Sequence, residues 1–166
     1  MDKHDGSRDS GEDPTEPRWL SGKEQQAWRT HLEVSRLLNH QMERDLQPFG
    51  LTSNDYEILV NLSEAPERRM RMSDLAKATL QSKSRLSHQI TRMENAGLVR
   101  RENCESDRRG LYTVLTDHGW DTMRKVAPAH VESVRRLFID RMTPRSLADY
   151  HEALIPVVEH LRTLRP

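Results

Sequence analysis

Residues 72–119 limit what this chain can fold into more than any other stretch. They read MSDLAKATLQSKSRLSHQITRMENAGLVRRENCESDRRGLYTVLTDHG. Ser73 ahead of Asp74-Leu75-Ala76 predicts a helix N-cap with a carboxylate in the favourable first turn. That helix should run to about Thr79, with Leu80 and Gln81 as a turn. A second helix begins at Ser82 or Ser84, and Leu86, Ile90 and Met93 recur at i, i+4 and i+7 as its buried stripe. Gly97 suits the left-handed position that closes it. Residues 98–102 and 111–115 then read as two strands joined by a charged tip, and Thr116 opens a long helix.

Two short helices, a ribbon and the start of a long helix make the plan of a winged helix-turn-helix module. The chain is therefore expected to be mainly α with a small β-ribbon. In the second helix, a turn of 100° per residue puts Gln81, Ser84, Arg85, His88 and Arg92 roughly opposite the buried stripe. None is apolar, and all can bond base edges or phosphates in a major groove. Arg85, His88, Gln89 and Ser84 are the candidates for bases. Ser82, Lys83 and Arg92 fall nearer the backbone, and Ser87 completes the set on this helix. If the ribbon continues into its tip, Asp107 and Arg109 point one way and Arg108 the other. Asp107 could then hold Arg109 extended, as insertion into a narrow minor groove requires. An ordinary solvated hairpin tip is the alternative.

Ser73-Asp74-Leu75-Ala76, then 93–101 (MENAGLVRR), then Asp107-Arg108-Arg109-Gly110, then Leu115-Thr116-Asp117-His118-Gly119 together resemble the MarR family of bacterial transcription regulators. The spacing of all four pieces matches, and the likeness extends over nearly the whole chain from about Ser21. It implies a helix pair before the reading module and another after it. It also implies a homodimer on a pseudo-palindromic operator, in many members released by a small aromatic or phenolic ligand. Trp28, His31 and Tyr56 lie on the first two helices, near where that family holds its effector. Packing in the core or at a dimer contact is the other role open to them.

With 166 residues the chain is long enough for one domain of normal size. The formal net charge is zero, but its distribution is uneven. Residues 68–109 carry eleven Lys/Arg against five Asp/Glu, whereas the first seventeen carry six acids and two bases. A basic centre behind an acidic tail suits phosphate binding by the centre alone. No run approaches the roughly 20 apolar residues of a membrane span, and no apolar leader is evident, so the expected location is the cytoplasm.

Residues 1–18 are polar and acidic, and predict a disordered tail. Residues 19–166 then form a single domain, in which 19–50 and 116–166 are dimerisation helices and 51–115 the reading module. Ser21 and Glu24 give a capping-box signature, and the helix they open should reach about Leu46. Residues 47–50 (QPFG) break it. A second helix carries Tyr56, Leu59 and Leu62, and a short strand near 69–72 could pair with the ribbon. The helix opened by Thr116 should run to about Met142, kinked at Pro128, and Thr143-Pro144 starts a last one that Pro156 should kink as well. These long helices have more apolar face than one small module can cover, which favours a dimer over intramolecular packing alone.

Cys104, in the ribbon near Arg100, Arg101 and Arg108, could carry a lowered pKa, though an ordinary thiol is the simpler reading. Eight histidines raise a metal site, but none stand four apart, and no metal or cofactor is expected. No nucleophile elbow, phosphate-cradling glycine loop or paired-cysteine motif points to an enzyme. The alternative to a DNA-binding regulator is a winged-helix module used for protein contact.

Overall fold

A computed structural model describes residues 17–104 and 107–164, with the side chains of 107–109 left out. Most of the expected tail lies outside the described residues. The chain divides into two compact units, Met1–Arg36 and Leu37–Pro166. Among the described residues six α-helices and a three-stranded sheet follow in order: α1 Gly22–Leu46, α2 Ser53–Glu64, β1 Arg69–Arg71, α3 Met72–Ala78, α4 Lys83–Asn95, β2 Val99–Cys104, β3 Asp107–Leu115, α5 Asp117–Leu137 and α6 Pro144–Thr163.

Local capping chemistry sets most helix starts. The Glu24 amide donates to Ser21 Oγ at 3.4 Å and the Ser21 amide to Glu24 Oε2 at 2.7 Å, the reciprocal pair predicted for α1. Thr52 and Asp55 form the same box at α2. Ser82 caps α4, Thr116 caps α5 and Thr143 caps α6 ahead of Pro144. A short 3-10 turn, Gln47–Phe49, follows α1 and ends on left-handed Gly50, as the QPFG break requires.

Two helix boundaries differ from expectation. α3 begins at Met72 rather than after a Ser73 cap, and Arg71 stands at its N-cap position without a side-chain capping bond to the helix. Arg71 is paired to Tyr112 in the sheet, so the backbone stays extended up to that residue. α5 stops at Leu137 rather than near Met142. Phe138 leaves the helical region (φ −132°, ψ −62°), and a 3-10 turn, Ile139–Arg141, follows. Its ring meets Tyr150 of α6 edge-on, with centroids 5.6 Å apart. α5 and α6 run on through Pro128 and Pro156.

The sheet is antiparallel in the order β1-β3-β2. Arg69 pairs with Val114, Val99 with Leu115, and the β2–β3 register shifts at Asn103/Cys104. The expected short strand thus closes the ribbon into a third position, and the ribbon does continue into its tip. The core joins α2, α3, α4 and the sheet through Ile58, Leu59, Leu62, Leu75, Leu86, Ile90, Met93 and Val99, all 1% exposed or less. Val126 brings α5 into the same cluster. Asp45, near the end of α1, accepts from Ser133 Oγ at 2.6 Å and from Arg136 at 3.0 Å, tying that end to α5. The Ser133 bond is the main cause holding its carboxyl below the usual range.

Candidate nucleic-acid interface

α4 is a 13-residue helix whose Leu86, Ile90 and Met93 enter the core as the stripe predicted. The helix ends as its sequence implies: the Gly97 amide donates to Glu94 O, and Gly97 takes a φ of +72°. Around the rest of the helix, side chains fall into three groups by what they touch.

On one flank the helix is tied to β2. The Arg101 guanidinium pairs with Glu94 and donates to the Ser87 carbonyl and to Thr91 Oγ1, each at 2.9 Å. Ser87 is therefore an exposed residue beside this tie.

On the other flank the helix is tied to α2 through one carboxylate. Asp55 is 1% exposed. Its Oδ2 accepts from the Thr52 amide at 2.9 Å and from Thr52 Oγ1 at 2.7 Å. Its Oδ1 accepts from Gln89 Nε2 at 3.0 Å and from Arg92 at 2.7 Å. Burial alone would raise this carboxyl, but the Thr52, Gln89 and Arg92 bonds outweigh it and hold it below the usual range. Sequence reasoning places Gln89 among the base-facing residues. The structure instead buries it, with its amide nitrogen donating to Asp55. Arg92 keeps just over half of its side chain in solvent while one end is held.

Between the flanks lies an exposed strip. Arg85, His88 and Arg92 recur at i, i+3 and i+7, with Ser84, Lys83 and Ser82 at its start. The side chains of Lys83, Ser84, Arg85 and His88 make no hydrogen bond or ion pair among the described residues, and Ser82 Oγ is occupied by the Arg85 amide at 3.2 Å. The positive end of the α4 dipole stands at the same place.

The basic character of 68–109 is only partly available to an outside phosphate. Arg68 lies over the Trp120 ring at 4.0 Å, Arg69 pairs with Glu67, Arg100 with Glu102 and Arg101 with Glu94. Arg71 donates to Cys104 Sγ at 3.4 Å. Lys77, Lys83 and Arg85 remain exposed, joined by the outer part of Arg92. The backbone of Asp107, Arg108 and Arg109 belongs to β3, and their side chains lie outside the described residues.

The aromatic candidates divide. Trp28 and His31 stack in the first unit at 5.8 Å and 18°, with Trp28 about half exposed. Tyr56, in the second unit, is buried against His130. Among the described residues no group of three or more His, Cys, Asp or Glu is placed to hold a metal, and no helix is long and apolar enough to cross a membrane.

α6 buries none of its residues, and its Tyr150, Ile155, Val157, Val158 and Leu161 are all exposed. A groove of about 520 Å³ runs along it, lined by Phe138, Leu147, Tyr150, Leu154, Ile155 and Val158 among others.

The sequence model of the MarR family matches residues 49–110. The structure of AbsC, a MarR family transcriptional regulator from Streptomyces coelicolor, is 73% identical, covers 89% of this chain and 99% of its own, and superposes with a TM-score of 0.85. That of Sco3205, a MarR family transcriptional regulator from the same organism in complex with DNA, is 43% identical, with coverage of 90% and 93% and a TM-score of 0.84. The HTH-type transcriptional regulator PecS of Dickeya dadantii is 31% identical over 61% of this chain, and the chain spans 62% of its length.

Proposed function

The chain belongs to the MarR family of transcriptional regulators, and from that premise we propose that it binds a pseudo-palindromic DNA operator as a homodimer and represses transcription there. The observation that carries this reading is the strip on α4. Lys83, Ser84, Arg85 and His88 are exposed, polar or cationic, and without partners among the described residues. They stand on a helix whose other sides are fixed to α2, β2 and the core. Arg85, His88 and Ser84 read bases; Ser82, Lys83 and Arg92 meet the sugar-phosphate backbone. Arg109 enters the minor groove, oriented by Asp107. Sco3205, solved with DNA, supports the assignment of the same kind of ligand.

The homodimer rests on α6. Its exposed apolar side chains, left wet, would cost roughly 25 cal/mol per Å². A second copy covers them and sets two α4 helices about one turn of DNA apart. Release by a small aromatic or phenolic ligand keeps Trp28 and His31 as its stacking pair, with Tyr56 serving α2–α5 packing instead. The regulator acts where chromosomal DNA is, in the cytoplasm.

Fluorescence anisotropy with the DNA immediately upstream of its own gene, against an unrelated duplex of equal length, tests this at two salt concentrations. Preference of about 10³-fold, weakening with salt, is expected. No binding to either duplex at low salt would instead make this a winged-helix module for protein contact.

A further inference from the structure

The carboxylate of Asp55 divides its two oxygens between two helices. Oδ2 takes both Thr52 donors and so caps the start of α2, while Oδ1 takes Gln89 and Arg92 and so holds α4. The group is 1% exposed and cannot itself touch DNA. It lies 34 and 37 residues from the two α4 side chains that it holds.

We propose that Asp55 is a positioning residue for DNA reading: it fixes Arg92 as an oriented phosphate clamp at the edge of the reading strip and withdraws Gln89 from the bases. The proposal rests on the DNA-binding function argued above.

The chemistry is that of a planar guanidinium held at one end. Arg92 gives one nitrogen to Asp55 and leaves just over half of its side chain in solvent. A guanidinium has five N–H donors in a rigid fork, so the remaining donors point in directions set by the held end. A phosphate meets a donor whose rotamers are already restricted, and less entropy is lost on binding. Arg92 is in line with His88 and Arg85 at i−4 and i−7, so a fixed guanidinium also sets how far along the groove those two side chains lie. Gln89 is one position out of that line, toward α2, and its Nε2 donates to Asp55. The recognition set on α4 is thereby narrowed to Ser84, Arg85 and His88.

The test separates position from charge. Arg92→Lys keeps the positive charge but loses the fork. Asp55→Asn replaces an acceptor by an NH2 that faces the Thr52 donors or the Gln89 and Arg92 donors, whichever way the amide turns. The DNA upstream of the gene and an unrelated duplex are titrated by anisotropy with each variant and with both together. Each single variant is expected to lose about tenfold on the upstream DNA and little on the unrelated duplex, which senses charge. The double variant should be no weaker than the weaker single one. Partial unfolding would lower both affinities in proportion, and loss of the Asp55 charge alone would raise both. Unchanged upstream affinity, equal losses on both duplexes, or losses that multiply in the double variant overturns the proposal. Arg92→Lys, at a half-exposed position, decides between these outcomes by itself if Asp55→Asn does not fold. Wild-type protein that binds neither duplex overturns the DNA-binding reading too, which is a distinct result.

Discussion

The imidazole of His130 on α5 lies against the phenol ring of Tyr56 on α2, with ring centroids 4.4 Å apart and planes inclined at 43°. Burial lowers the imidazole from its ordinary value of 6.5 and raises the phenol from 10.0. The fold therefore accepts His130 as the neutral ring, while the unfolded chain protonates it near pH 6.5. The sign follows from proton counts: below that pH the unfolded state binds more protons, so stability falls as pH falls. Urea midpoints should drop between about pH 7.5 and pH 5.5, and His130→Gln should flatten the drop. Glu57, whose carboxyl is pushed up by burial, works in the opposite direction from its ordinary 4.5 upward. A variant midpoint as pH-dependent as the wild type would assign the effect to another group.

Gly119, in the first turn of α5, packs against the backbone of Leu98, just ahead of β2. A Cβ there would lie inside van der Waals distance of the Leu98 carbonyl oxygen and 2.8 Å from Leu115 Cδ1. Backbone cannot swing aside as a side-chain tip can. Gly119→Ala should cost about 1–3 kcal/mol in urea unfolding despite its better helix propensity. A variant as stable as the wild type would mean that α5 can move off Leu98 freely.

Leu80 is in the turn between α3 and α4 with a φ of +53° and is 69% exposed. A left-handed backbone disfavours a side chain of this size, and the exposed leucine gains little burial in return. Leu80→Gly should raise stability by about 0.5 kcal/mol, the relieved strain less the added freedom of the unfolded chain. A lower midpoint would show that the leucine side chain supports the turn.

On DNA, Arg85→Ala should weaken operator binding by about 1–3 kcal/mol and relax sequence choice. Lys83→Ala should weaken every duplex alike and reduce the salt slope by about one. Arg109→Ala should cost about 1–3 kcal/mol on all sites. Anisotropy over several salt concentrations, with operator variants, reads all three. An Arg85→Ala protein with full sequence preference would remove that residue from the bases.

What could be read from the sequence was what neighbours in sequence decide. The Ser21–Glu24 box, the Ser82, Thr116 and Thr143 caps and the left-handed Gly97 are local events, and each stands where the residues implied. The stripe of Leu86, Ile90 and Met93 follows from helical period alone. Contacts across the fold were hidden. Nothing near Asp55 in sequence announces Gln89 and Arg92, so Gln89 looked free to meet a base. Ser73 looked like a cap because its rival, the pairing of Arg71 with Tyr112, joins residues some forty positions apart. The ion pairs that occupy Arg69, Arg100 and Arg101 likewise escape a count of charges.

The ties on either side of α4 have a consequence for how such a protein changes over generations. Asp55 holds one flank and Arg101 the other, while Ser84, Arg85 and His88 bear no internal load among the described residues. Those three positions can be exchanged with little effect on folding. A lineage can thus adopt a new operator by altering a few letters of one helix, while the frame that presents them stays the same.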